Sequence, residues 1–226
     1  MAGVASATLL LDQDGAERLP HAALALLPDI EAALDSHALA AGVRIRRNPA
    51  LAALFASDSS IGRTIARRTG ETAAPVRAIL FDKRADRNWA LGWHQDRTIA
   101  VAKRLEVAGF GPWSIKQGIQ HVAPPITLLA RMHTIRVHLD PVPVNNAPLL
   151  IAPVSHRLGR VAEPDIAAAV AQCGSAACLA ERGDIWIYAT SILHASDRAA
   201  DPRRRRVLQI DYSPDSLPGG LEWMGL

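Results

Sequence analysis

The chain has 226 residues, 49% hydrophobic and 21% charged, with a formal net charge of +3. This is ordinary globular composition, long enough for one sizeable core, and it excludes a disordered chain. No stretch approaches the roughly 18 apolar residues that cross a bilayer, so no membrane partner is expected, and the small net charge is weak support for a nucleic-acid partner.

The first residues have no basic segment ahead of a long apolar run, so a signal peptide is not expected. Cys173 and Cys178 lie close together outside any CxxC spacing. A disulfide framework or zinc site is therefore not expected, and reduced thiols in a cytoplasm are the default.

In chain order, the first third reads mainly helical. Residues 24–41 are rich in Ala and Leu, and Leu27, Ile30, Ala33 and Leu34 follow helical spacing. A second helix is predicted over residues 49–68, with Pro49 suited to its first turn and Gly70 to its stop. The texture then changes to short apolar runs bounded by Gly, Pro, Asn and Asp. Residues 76–81, 91–101, 132–139, 149–154, 184–189, 191–196 and 205–212 read as strands, with one helical interruption over 163–172. This pattern predicts a mainly β fold with flanking helices, a barrel or jelly roll. One domain over residues 1–226 is expected, with an N-terminal helical segment over about 1–70.

Residues 102–125 show no clear periodicity and carry several Gly and Pro. Long irregular segments inside compact domains are often lids or binding loops. Phe110, Trp113, Lys116 and His121 are therefore candidates for substrate contact, although a surface excursion packed on the barrel fits as well.

The chemistry lies in His94-Gln95-Asp96, answered a hundred residues later by His194. Two histidines and one carboxylate form the ligand set of mononuclear non-haem Fe(II) oxygenases, which leaves positions open for co-substrate and dioxygen. In a strand, residues i and i+2 share a face. His94 and Asp96 can thus reach one ion while Gln95 points away. A 2-oxo acid chelating such a metal needs a fixed cation for its far carboxylate, and arginine suits this because its fork binds carboxylate bidentately. On the strand over 205–212, Arg205, Val207 and Gln209 share one face and Arg206, Leu208 and Ile210 the other. Arg205 or its neighbour Arg203 is the candidate, with Ser196 on the face of His194 as a helper.

These residues resemble the phytanoyl-CoA dioxygenase-like (PhyH) branch of the 2-oxoglutarate/Fe(II) oxygenases. His94-Gln95-Asp96 is similar to the family's HxD, and His194-Ala195-Ser196 to its HGS or HAS segment. Asn146-Ala147-Pro148-Leu149 and Pro153-Val154-Ser155-His156 resemble its NGPL…PGSH segment, with Ala147 and Val154 in place of glycines. The resemblance covers about the last two-thirds of the chain. It implies a cupin-like double-stranded β-helix (jelly roll), with His94, Asp96 and His194 as metal ligands. It also implies Fe(II) and 2-oxoglutarate as cofactors, and Arg205 as the co-substrate anchor, because Arg205-Arg206-Val207-Leu208 fits the family register best. The implied reaction hydroxylates an unactivated C–H bond of a small-molecule substrate, using dioxygen and releasing succinate and CO2. An aspartate at position 96 separates the chain from related halogenases, which usually carry a small residue there.

Other candidates are weaker. Lys83 could meet a substrate carboxylate, yet a solvated lysine beside Asp82 and Arg84 is the simpler expectation. Thr134, Arg136 and His138 form the polar face of their strand, so Arg136 is a candidate for the pocket. Trp93 reads as core. The run Arg203 to Arg206 lacks the interleaved aromatics of a nucleic-acid surface. The rival readings are a cupin-like metal enzyme that does not use 2-oxoglutarate and a catalytically silent binding protein on the same fold.

Overall fold

Strands whose residues alternate in polarity fold into sheets with two unlike faces, and the longest strands here do so. A computed structural model describes residues 8–35 and 42–226. Its main six-stranded sheet runs β1 (Ala16–Leu19), β11 (Ile185–Ala189), β8 (His133–His138), β13 (Arg205–Ser213), β3 (Ala74–Lys83) and β2 (Val43–Ile45). A four-stranded sheet runs β10 (Ala176–Cys178), β9 (Leu149–Ile151), β12 (His194–Ser196) and β4 (Leu91–His94). A three-stranded sheet runs β5 (Ile99–Val101), β7 (Ile119–Val122) and β6 (Trp113–Lys116). Every pairing is antiparallel. Among the described residues there are six α-helices: α1 (Leu11–Asp14), α2 (Leu27–Leu34), α3 (Pro49–Leu54), α4 (Ser60–Thr69), α5 (Ile126–Arg131) and α6 (Ile166–Cys173). The two larger sheets enclose the interior as a double-stranded β-helix.

The outer face of the main sheet is apolar. Leu80, Ile135, Val137, Leu208 and Ile210 pack with Leu27 and Ile30 of α2, Leu51 of α3 and Ile65 of α4. The inner face is polar where the strands meet. Cross-strand register sets Lys83 opposite Arg205, Ile79 opposite Gln209 opposite Arg136, and Arg77 opposite Asp211 opposite Thr134. Nearer β11 the inner face turns apolar, where Trp186 and Tyr188 join Leu149, Ile151 and Cys178.

Several elements differ from the sequence reading. Two short strands, β1 and β2, lie within the first third and extend the two edges of the main sheet. The helix predicted over 24–41 is a 3-10 turn followed by α2, and residues 36–41 lie outside the described residues. The helix predicted over 49–68 is two helices. Asn48 Oδ1 caps α3 by accepting from Leu51 N, and Ser59 Oγ caps α4 by accepting from Gly62 N at 3.0 Å. The chain between them folds so tightly that a Cβ on Gly62 would lie 2.1 Å from the Ala56 carbonyl oxygen. Residues 102–125, read as irregular, contain the β6–β7 hairpin. Its turn residues Gln117 and Gly118 both have positive φ, at 51° and 74°, the geometry that matches strand twist in two-residue hairpins.

The two positions where the resemblance expects glycine are informative. Ala147 sits at φ 50° and Val154 at φ 68°, both left-handed. For a β-branched residue this conformation is a genuine outlier, costing about 1–2 kcal/mol. The turns therefore keep a glycine backbone without glycine. Val154→Gly is expected to stabilise the protein by about 1 kcal/mol, the relieved strain less the added unfolded-state entropy; urea denaturation with an unchanged m-value checks this.

Candidate metal centre

β4 and β12 are neighbours in the four-stranded sheet, and their register pairs His94 directly with His194. The imidazole centroids are 4.3 Å apart. Asp96 follows two residues after His94, just beyond the end of β4. Ligand atoms of His94, Asp96 and His194 all lie within 4.8 Å of one another. The predicted strand over 91–101 is thus interrupted: β4 ends at His94 and β5 begins at Ile99.

Gln95 between them points away and acts as a clamp. Its amide nitrogen donates to the carbonyls of Gly159 and Ser191 at 2.9 and 2.8 Å, and its oxygen accepts from Val161 N at 2.9 Å. Ser191 lies on the segment leading to His194, so one side chain ties both halves of the triad together.

Each histidine is oriented by a backbone carbonyl two residues upstream. His94 Nδ1 lies 2.8 Å from Gly92 O, and His194 Nδ1 lies 3.0 Å from Ile192 O. A carbonyl only accepts, so Nδ1 carries the proton and donates, leaving the Nε2 lone pair for a metal. Burial pushes His194 down to about 4, which keeps it neutral as a ligand must be. Burial opposes ionisation of Asp96, but the Arg77 guanidinium, 3.4 Å away, together with His194, His94 and Arg136, outweighs it and holds the carboxyl below the usual carboxylate range. Arg77 is itself anchored by Asp211, which also accepts from Thr134 Oγ1 at 3.0 Å. The donor set, its tautomers and its charge all fit a divalent metal.

The triad opens on a cavity of about 340 Å³. Its deep end gathers three cations, Lys83, Arg136 and Arg205, exposed by only 3%, 8% and 4%. Arg205 donates to the Ala147 carbonyl, yet its Nε and that of Arg136 are buried without a hydrogen-bond partner among the described residues. Burial, then Arg136, pushes Arg205 down to about 9, still protonated at neutral pH. Burial, then Arg205 and Arg136, pushes Lys83 down to about 8. Lys83 Nζ donates to Ser196 Oγ at 3.2 Å and to Asp197 O at 2.9 Å, above the Trp89 ring. Buried cations without a carboxylate are costly and call for an anion.

The model of the family described as Phytanoyl-CoA dioxygenase (PhyH) matches residues 3–207. The chain belongs to the phytanoyl-CoA dioxygenase family. No curated protein matches it. Among solved structures, AviO1 from Streptomyces viridochromogenes Tue57 is similar with a TM-score of 0.65 at 16% identity, covering 97% of this chain and 99% of that one. EctD from S. alaskensis with 2-oxoglutarate and 5-hydroxyectoine gives 0.62 at 16% identity, over 90% of this chain and 73% of that one. The epimerase SnoN, in complex with Fe3+, alpha ketoglutarate and nogalamycin RO, gives 0.61 at 14% identity, over 93% and 88%.

In this PhyH chain the structure sorts the sequence candidates. His94, Asp96, His194, Arg205, Ser196, Lys83, Arg136 and Lys116 all line the one cavity. Lys83, expected to be solvated, is buried because its register opposite Arg205 turns it inward. Trp113 does not line the cavity. It packs against the core beside Ile99, Val101 and Val122, with Arg104 5.4 Å over its ring. His121 does not line it either: it is sealed in the small sheet, with Nδ1 donating to the Ile119 carbonyl at 3.0 Å. Trp93 packs on the Ala152–Leu193 cluster as read. Of the arginine run, Arg203 pairs with Asp201, Arg204 with Asp82, and Arg206 with Asp140 and Glu31. Sequence reasoning missed Arg77 and Arg44 as cavity residues. Arg77 was within reach, since it alternates with Ile79, Phe81 and Lys83 on one face of β3.

Burial pushes His121 and His133 down to about 4 from the ordinary 6.5. Both are neutral when folded and take up protons when unfolded, so their contribution is complete above pH 6.5 and drains as pH falls toward 4. Unfolding free energy of the metal-free protein is expected to decline across that window. His121→Leu is expected to make the decline shallower in denaturant titrations at several pH values.

Proposed function

We propose that this protein is an Fe(II)- and 2-oxoglutarate-dependent oxygenase that oxidises a C–H bond of a small molecule, hydroxylation being the simplest outcome. The observation that carries the reading is the juxtaposition of a His94–Asp96–His194 donor set with buried, unpaired guanidinium nitrogens in one cavity. His94, Asp96 and His194 would hold the metal. Fe(II) bound there supplies reaction with dioxygen, coupled to conversion of 2-oxoglutarate to succinate and CO2.

The remaining roles fall to the chain's own side chains. Arg205 receives the far carboxylate of 2-oxoglutarate, with its fork fixed by the Ala147 carbonyl. Lys83 and Arg136 add positive potential to the same end, and Ser196 orients Lys83. Arg77 keeps Asp96 ionised and fixes one of its oxygens. Ile79, Phe81, Leu149 and Ala195 wall the cavity and limit water around the reacting centre. SnoN is an epimerase, the similar structure SnoK from nogalamycin biosynthesis is a carbocyclase, and EctD is bound to 5-hydroxyectoine. The reaction outcome in this chain therefore depends on which substrate atom meets the metal.

Anaerobic addition of Fe(II) and then 2-oxoglutarate should produce a visible charge-transfer band, and its absence would refute the reading. Arg205→Gln should weaken 2-oxoglutarate binding on the order of 100-fold, as loss of a buried charged partner does, while leaving Fe(II) binding intact in the same titration. Lys83 is a cation below about pH 8. 2-Oxoglutarate affinity should therefore fall as pH rises through that value, and Lys83→Met should remove the dependence.

A further inference from the structure

The cavity holds more positive charge than one co-substrate can use. Arg44, Arg77, Lys83, Lys116, Arg136 and Arg205 line it, against Asp96 as the single lining carboxylate among the described residues. Arg77 is accounted for by Asp211 and Asp96. A divalent metal and a dianionic co-substrate cancel one another, so the surplus persists after both have bound.

That surplus sits in two places. The deep cations crowd one another: after burial, Arg205 and then Arg136 act on Lys83, and Arg136 also reaches Asp96. The outer pair has a different neighbourhood: Lys116 feels Arg77, Asp96 and Arg44, and Arg44 feels Arg77 and Asp96. Lys116 is exposed and bonded to the loop just past Asp96, whereas Lys83, Arg136 and Arg205 are buried, so the outer pair stands at the mouth, away from the deep end.

The pairing of Arg44 with Lys116 is built, not incidental. Arg44 lies on the edge strand β2 opposite Ile79, which lines the cavity. Lys116 ends β6, immediately before the hairpin turn. Gln117 in that turn ties the two elements together: its oxygen accepts from Arg44 N at 3.2 Å and its amide donates to Gly42 O at 2.8 Å. Lys116 Nζ donates to Thr98 Oγ1 at 3.2 Å, on the loop that follows Asp96. Arg44 Nε is buried and has no hydrogen-bond partner among the described residues.

We propose that Arg44 and Lys116 form a second anion subsite at the cavity mouth, and that the primary substrate carries a carboxylate or phosphate group seated there. The inference rests on the oxygenase reading, because it assigns the deep cations to 2-oxoglutarate. The anionic group would be gripped at the mouth while the rest of the molecule reaches inward past Asp96 toward the metal. A guanidinium and an ammonium side by side suit an oxyanion with several acceptor atoms.

The test is calorimetric titration of the anaerobic Fe(II) protein, saturated with 2-oxoglutarate, with inorganic phosphate, butanoate and neutral butanamide. Phosphate or butanoate should bind where butanamide does not, and the tighter of the two identifies the group. The double variant Arg44→Gln/Lys116→Gln should weaken that anion at least about tenfold, the scale of a lost charge-assisted contact, with 2-oxoglutarate affinity kept. Lys116→Gln alone, at an exposed position, should shift it in the same direction. Anions binding no better than butanamide, or equally well to the double variant, would overturn the subsite and leave the oxygenase reading intact. Loss of 2-oxoglutarate binding in Lys116→Gln would also overturn it by assigning the mouth to the co-substrate. Failure of the wild type to bind 2-oxoglutarate would defeat both.

Discussion

The site depends on one cross-strand register, the pairing of His94 on β4 with His194 on β12. Directly opposed residues in an antiparallel pair bring their side chains together, so two histidines distant in sequence converge without any special loop. A slip by one residue would send one of them to the opposite face. The register is reinforced from behind by Gln95, whose hydrogen bonds span the Gly159, Val161 and Ser191 backbone. Strand pairing thus fixes the two histidines, and a buried amide fixes the chain between His94 and Asp96.

The cavity shows a second organising constraint, the placing of charge by strand alternation. Arg77, Lys83, Arg136 and Arg205 all project from the inner face of one sheet whose outer face is packed hydrocarbon. The apolar contacts of Leu80, Ile135, Val137 and Leu208 hold those strands in place while their neighbours carry an unfavourable burden of buried cations. Stability and chemistry are thus divided between the two faces of the same strands, residue by residue.

Much of this was legible in the sequence. The HxD and distal His were readable because strand periodicity and ligand chemistry agree, while alternation narrowed the inward arginine only to Arg203 or Arg205 and the family register chose between them. Asp96 falls just past a strand end, yet the i, i+2 argument still brings it to the ion. Most of the misreadings share a cause: short elements are specified by partners distant in sequence. β1 and β2 are too brief to show alternation and exist because edges of the main sheet accept them. The β6–β7 hairpin was hidden by a Gln-Gly turn weaker than the usual Asn-Gly or Asp-Gly signal. Trp113 and His121 were misplaced with it, because which face of an unrecognised strand they occupied was unknowable. Lys83 looked solvated because its charged neighbours are adjacent in sequence, whereas on a strand adjacency means opposite faces.

The arginine run at the start of β13 shows what that opposition achieves. Arg204 and Arg206 hang outside the barrel and are held by Asp82, Asp140 and Glu31, while Arg205 between them turns inward. The outer ion pairs therefore work as indexing pins. Sliding the strand by a single step would pull Arg204 and Arg206 away from these three acids and drive two guanidinium groups in place of one into the interior, so the identity of the anchoring arginine is fixed by its neighbours' bonds as much as by its own.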